Sequence, residues 1–272
     1  MKAMNRIQKF NTVAIFAFVF LLSSCSEVPF TGRKQLNLVP DSIMNSMSFQ
    51  SYSEFISQNK PSTNAEQTQM VKRVGQRISQ AVEKYSAQEK MSLEGYSWEF
   101  NLIEDPSVNA WAMSGGKVVV YTGLLPVVQD EAGLAVVMGH EIAHAIAKHG
   151  SERMSQGLIV QMGGMALSKA LETKPAQTRD LFMKSYGIGT EVGVTLPFSR
   201  THETEADRLG LIFMAMAGYN PNVAVEFWQR MAAAKKGATT IELLSTHPAD
   251  ETRIRNIKTF IPQAMRYYDQ GR

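Results

Sequence analysis

Two histidines four positions apart, His140 and His144, enclose Glu141 within the apolar run Leu134–Ile146. The run is rich in Ala and Val and predicts a helix, so three polar side chains on one side of it need a buried partner. At about 100° per residue the two imidazoles point the same way and can share one ion. Neutral imidazole is a good zinc ligand, and Zn²⁺ takes the tetrahedral geometry that two helical histidines and a third group provide. Glu141 stands one residue round from His140, beside such an ion rather than on it. That is where a base takes a proton from metal-bound water. Two packed, non-liganding histidines are the plain alternative, and the apolar setting weighs against them.

The third ligand must come from elsewhere. His149 is nine residues from His140, about half a turn out of phase, and reads as a surface or helix-end residue. Thr201-His202-Glu203-Thr204-Glu205-Ala206-Asp207 is the stronger source. Glu203 and Asp207 share one helical face, so one can bind the ion while the other fixes a ligand imidazole. Glu205 faces roughly away, and His202 points off the Glu203 face. A solvated acidic helix face is what this segment would be without the first motif.

The start of the chain bears on where such a site works. Lys2, Arg6 and Lys9 precede an uncharged run from Thr12 to Leu22, too short to span a bilayer comfortably but suited to a secretory leader. Leu22-Ser23-Ser24-Cys25 follows and resembles a bacterial lipobox, which implies lipidation of Cys25. Residues 1–24 are expected to be the signal peptide, 25–40 a lipid-anchored tether and 41–272 the folded domain. The three basic residues of the leader account for the net charge of +3, leaving 25 residues of each sign and no indication of a nucleic-acid partner. Cys25 is the only cysteine, so stability rests on packing or metal rather than disulfides.

Along the remainder, residues 41–58 predict a first helix, and Ser62 or Thr63 offers a cap to a second. Val71, Val74, Ile78, Val82 and Tyr85 give that second helix one apolar stripe, read as core. Trp98 to Leu102, Val108 to Met113 and Lys117 to Tyr121 read as three strands of a small sheet, with turns at Asp105-Pro106 and Gly115-Gly116. A helix from Asp130-Glu131 to about His149 follows. Gly157 to Leu171 is a weak membrane candidate. Thr201 to Ala217 predicts a helix stopped by Gly218, Asn220-Pro221 opens the next, and Pro248 opens a last one bearing Ile254, Ile257 and Ile261. The fold class expected is α+β, predominantly α.

These motifs together resemble the zinc metalloendopeptidase family of the CAAX prenyl proteases and the HtpX- and Oma-type proteases, nearest to its soluble lipoprotein-like bacterial members. Besides the two motifs, the resemblance rests on Leu196-Pro197-Phe198-Ser199-Arg200, Ala217-Gly218-Tyr219-Asn220-Pro221, Asn109-Ala110-Trp111-Ala112, Tyr121-Thr122-Gly123-Leu124-Leu125 and Thr246-His247-Pro248. It spans about residues 65 to 260. It implies one zinc ion bound by His140, His144 and Glu203, Glu141 as the catalytic base, and Asp207 in support. It also implies a compact zincin-type catalytic domain with a small sheet beside the active-site helix.

The expected activity is hydrolysis of peptide bonds in polypeptides, with misfolded or unassembled cell-envelope proteins as substrates. The expected place is the bacterial periplasm, held to the outer membrane through the lipid on Cys25. His247 is a further active-site candidate, as oxyanion donor or as occupant of the fourth zinc position. Arg253 is a lesser one, with ion pairing as its plainer use. The strand Asn109 to Met113 is expected to receive an extended substrate by β-augmentation. The rival class is a lipoprotein chaperone with a zinc-stabilised fold, against which Glu141 argues because a structural site needs no base.

Overall fold

In a computed structural model, residues 25–190, 196–234, 241–247 and 250–270 are described. Residues 1–24, expected to be a leader, and Pro248 lie outside them, as do the side chains of Cys25 and of residues 188–190, 196–199, 234 and 246.

The chain begins with strands β1 (Cys25–Glu27) and β2 (Lys34–Leu36), paired antiparallel. Helices α1 (Asp41–Gln58) and α2 (Ala65–Gln88) follow, then β3 (Glu99–Ile103), β4 (Ala110–Met113) and β5 (Lys117–Tyr121). A short α3 (Leu125–Val128) leads into α4 (Glu131–Ile146), α5 (His149–Ala170) and α6 (Ala176–Thr190). The rest comprises α7 (Leu196–Met216), α8 (Val223–Ala234), the single turn α9 (Leu243–Thr246) and α10 (Glu251–Gln270). The architecture is a mostly helical α+β domain with a small mixed sheet, as expected.

The sheet order is β3-β5-β4, with β3 parallel and β4 antiparallel to the central β5. Residues alternate faces along a strand, and β5 is apolar on both. Val118 and Val120 join Phe100, Leu102 and the helices in the main core. Val119 and Ile103 point the other way, where α1 covers them with Tyr52 and Phe55. Phe55 meets Trp111 edge-on, with centroids 4.9 Å apart. Because β4 pairs with β5 alone, its other edge is free of strand partners among the described residues.

Helix α4 runs through the middle of the molecule, buried at nearly every position from Gly133 to Ile146, as a helix apolar on all sides must be. Asp130 caps it, its carboxylate accepting from Gly133 N at 2.8 Å, and Glu131 adds charge that suits the dipole. The α2 stripe Val71, Val74, Ile78, Val82 and Tyr85 is buried throughout. The α2 cap is Asn64 rather than Ser62 or Thr63, its side chain accepting from Gln67 N. Helix α7 ends as expected at Gly218, φ +82°, where the amide of Tyr219 bonds Met214 O at 2.9 Å in a Schellman arrangement. The helix containing Gly157 leaves Leu158, Ile159, Met162 and Met165 exposed, and among the described residues no helix is long and apolar enough to cross a membrane.

Two expectations differ from the structure here. First, α4 stops at Ile146, and Lys148 adopts a left-handed φ of +58° before α5 starts at His149. Extrapolating one continuous helix to His149 therefore assigned that residue the wrong direction. Second, residues 26–38 are folded onto the domain. Val28 and Gln35 are buried, Leu38 N donates to Ser155 Oγ at 2.9 Å, and Arg208 lies 4.2 Å from the Phe30 ring centroid. A hairpin held by isolated contacts and ion pairs shows none of the apolar periodicity that marks a core element.

Candidate metal centre

The site is where α4 crosses α7. The two backbones touch at Gly139 and Gly210. A Cβ on Gly210 would lie 2.8 Å from His140 N, closer than side chains tolerate. This approach brings Glu203, one face of α7, against His140 and His144 on α4. The turn after α9 adds His247, whose amide donates to Leu243 O at 2.9 Å.

His140, His144, Glu203 and His247 each present one ligand atom to a common point, all within 4.8 Å of one another. His140 Nε2 lies 3.1 Å from His144 Nε2 and 3.3 Å from Glu203 Oε2. His144 Nε2 lies 3.2 Å from Glu203 Oε1. His247 Nδ1 is 3.2 Å from His140 Nε2 and 2.9 Å from the Glu203 carboxylate. A tetrahedron with zinc–ligand bonds of about 2.0–2.1 Å has edges of about 3.3–3.4 Å. Three imidazole nitrogens and a carboxylate, spaced near those edges and almost entirely buried, are a donor set that fits Zn²⁺.

Glu141 supports the fit independently. It is 4% exposed, and its Oε1 hydrogen-bonds to no protein group. His247 Nε2 lies 3.4 Å from that oxygen. A buried carboxylate oxygen without a protein partner costs free energy unless something else is presented to it.

The outer nitrogens of the ligand imidazoles are also held. Asp207 Oδ1 lies 3.0 Å from His140 Nδ1, and Arg253 grips the same carboxylate with Nη2 at 2.7 Å and Nε at 2.9 Å. The Arg253 guanidinium lies 3.4 Å from the Trp228 ring centroid, and its Nη1 donates to His247 O at 3.2 Å. Arg253 Nη1 also lies 3.4 Å from Glu203 Oε2, so its ion pairs reach both the ligand carboxylate and Asp207. His144 Nδ1 meets His149 Nδ1 at 2.8 Å.

The charges follow from these contacts. Burial raises the Glu203 carboxyl, but His140, His144 and His247 around it outweigh that and hold it far below the usual range. Asp207 is lowered as well, Arg253 and His140 prevailing over burial. Burial and Arg253 press His140 down, yet Asp207 and Glu203 lift it to about 9 in the metal-free protein. Burial pushes His144 well below its ordinary value.

Three residues set aside in the sequence are buried parts of this neighbourhood. His149 is fully buried, Glu205 is 4% exposed and His202 is 1% exposed. Glu205 does face away from the ligand cluster, as its position on α7 requires, but it faces the N-terminal hairpin rather than solvent. Arg33 joins Glu205 at 2.9 Å and Glu152 at 2.7 Å. His149 and His202 stack at 4.3 Å, and His202 Nε2 bonds Glu152 at 2.8 Å. No local pattern announces such a network, because its members come from three separate segments.

A profile for peptidase family M48 matches residues 72–261 of the chain. Over 208 residues the chain is 32% identical to a protein of Saccharomyces cerevisiae named mitochondrial metalloendopeptidase OMA1, covering 74% of this chain and 58% of that protein. The Schizosaccharomyces pombe protein of the same name is 33% identical over 254 residues, 90% of this chain and 69% of its own length. The beta-barrel assembly-enhancing protease of Escherichia coli is 28% identical over 165 residues, 59% of this chain and 34% of that protein. The chain thus spans under two thirds of the budding-yeast and bacterial relatives. With the matched region enclosing both halves of the His-Glu cluster, this chain belongs to peptidase family M48.

Proposed function

We propose that the chain is a zinc-dependent endopeptidase that cleaves polypeptides, with zinc held by His140, His144 and Glu203 and Glu141 acting as general base. One observation carries the proposal: a buried carboxylate, Glu141, whose Oε1 makes no hydrogen bond to protein, stands beside four convergent ligand atoms. A purely structural zinc site has no use for that carboxylate. The bound ion supplies Lewis acidity toward water and a substrate carbonyl. Glu141 accepts the water proton and afterwards delivers it to the leaving amine. Asp207, gripped by Arg253, fixes the His140 ring so that Nε2 remains directed at the ion.

His247 Nδ1 shares the ligand cluster, so of its two expected roles the fourth zinc position is the one we assign. In that position its Nε2 faces Glu141 Oε1 at 3.4 Å. Substrate lies along the free edge of β4, which runs beside α4. A cavity of about 220 Å³ joins that edge to the metal centre, lined among others by Met44, Ala112, Met113, His144, Lys148 and Arg153.

We place the protein outside the cytoplasm, in a bacterial envelope, with Cys25 lipidated and unassembled envelope proteins as substrates. The leader composition and the Leu22-Ser23-Ser24-Cys25 sequence support this, and the bacterial relative is named for β-barrel assembly. The fungal relatives are named as mitochondrial, so the compartment rests on the leader. Casein cleavage by the purified protein, compared with Glu141→Gln, tests the activity. The variant is expected to bind one zinc and cleave nothing, and full cleavage by it removes Glu141 from the mechanism. Labelling of the expressed chain with a radioactive fatty acid, lost in Cys25→Ser, tests the anchor.

A further inference from the structure

The proposed ligand His144 directs its second ring nitrogen to another histidine. Its Nδ1 lies 2.8 Å from His149 Nδ1, and His149 Nε2 lies 3.0 Å from Glu205 Oε2. Glu205 in turn accepts from Arg33 Nε at 2.9 Å, from Arg33 Nη2 at 3.0 Å and from the Thr31 hydroxyl at 2.9 Å. One arrangement of protons satisfies the whole chain with neutral rings. With His144 Nε2 directed at the ion, its proton sits on Nδ1 and is donated to His149 Nδ1. His149 must then carry its own proton on Nε2, and it donates that proton to Glu205. Asp207 provides the same service to His140 directly; for His144 the carboxylate stands one imidazole further out.

We propose that His149 and Glu205 are positioning residues for the zinc site. They hold His144 in the Nδ1–H tautomer, and Arg33 of the N-terminal hairpin locks Glu205. Seating of the hairpin that follows Cys25 is thereby coupled to the geometry of a metal ligand through Glu205 and His149. The proposal rests on the zinc assignment above. Partners of this kind typically contribute about 10- to 100-fold to metal affinity. Ordinary packing is the alternative, and His202 is the matched control. It is as buried as His149 and stacked on it, but its imidazole bonds Glu152 instead of a ligand histidine.

The test is equilibrium competition for Zn²⁺ between the full chain and a chromophoric chelator, together with the absorption spectrum of the Co²⁺ form and thermal unfolding of the metal-free form. His149→Phe is expected to lower zinc affinity about 10- to 100-fold and to alter the Co²⁺ spectrum. His149→Gln, able to accept from His144 and donate to Glu205, is expected to recover most of that loss. His202→Phe, which keeps a ring against His149 but removes one partner of Glu152 beside Arg33, is expected to shift both readouts no more than Arg33→Met does. Arg33→Met, with His149 intact, is expected to shift the same spectrum with a smaller loss of affinity. If the phenyl ring is not accommodated, His149→Asn, too short to bridge both partners, supplies the same comparison. Wild-type affinity and spectrum in His149→Phe, or an equal loss in His202→Phe, overturn the relay and leave the zinc site standing. An unchanged spectrum in Arg33→Met removes the hairpin from it. A wild-type chain that binds no zinc overturns both proposals.

Discussion

Adding one methyl group at Gly210 is expected to damage the metal centre from below, without altering a ligand side chain. The new Cβ would lie 2.8 Å from His140 N, 2.9 Å from Gly139 C and 3.0 Å from Gly139 O. All three are backbone atoms of α4, so no rotamer change relieves the clash. Restoring ordinary van der Waals contact requires α7 to move from α4 by about 0.6 Å or more. Asp207 lies one turn before Gly210 and Glu203 one turn before that, so the His140–Asp207 bond and then the Glu203 ligand atom are drawn away from α4. Zinc sites tolerate about 0.2 Å in bond length. Overpacking of this kind costs about 1–3 kcal/mol, against about 1 kcal/mol gained from the better helix propensity of alanine. The expected result for Gly210→Ala is a net loss of about 0–2 kcal/mol by urea unfolding and a zinc affinity lowered at least tenfold by chelator competition. Gly157→Ala is the control, since a Cβ there meets nothing within 4 Å; it is expected to be neutral or stabilising by up to about 1 kcal/mol. Gly210→Ala with wild-type stability and zinc affinity would refute the argument that backbone contact sets the metal geometry.

Glu152 gives a dependence on acid. Burial raises its carboxyl, but Arg33 and His202 outweigh that and bring it to about 2 in the folded chain, below its ordinary 4.5. Its contribution is therefore complete above about pH 4.5 and lost as pH falls toward 2, roughly 3 kcal/mol in all; urea unfolding across that range should show a shallower slope in Glu152→Gln. Because His140 stands near 9 without metal, zinc uptake at pH 7 displaces one proton, and affinity should rise about tenfold per pH unit toward 9; a flat profile contradicts the assignment. Asp207→Asn removes the nearer of the two carboxylates paired with the buried Arg253, leaving Glu203 at 3.4 Å, and is expected to lower stability by about 1.5–3 kcal/mol in thermal unfolding. Zinc present at a thousandfold excess over its dissociation constant should stabilise the chain by about 4 kcal/mol, a gain that chelation reverses and that a chelator-insensitive melting temperature would deny.

Everything governed by near neighbours was legible in the chain itself. The spacing of His140, Glu141 and His144 specified a metal-bearing helix, and that of Glu203 and Asp207 specified a second face with two carboxylates. The stripe of α2 and the alternation of β3 announced themselves for the same reason, that helical and extended periods are local properties. His149 was misread because a local rule was continued across a break that nothing nearby marks, the left-handed Lys148. Glu205, His202 and Arg33 were missed because their partners lie on other segments, and an acidic residue looks alike whether it meets solvent or a buried guanidinium. Tertiary structure alone decided that α4 and α7 touch at Gly139 and Gly210, that His247 reaches the ligand cluster, and that the N-terminal hairpin closes on Glu205. The physical reason is that these contacts depend on how separate elements pack, and the distances between packed backbones are written in no single stretch of residues.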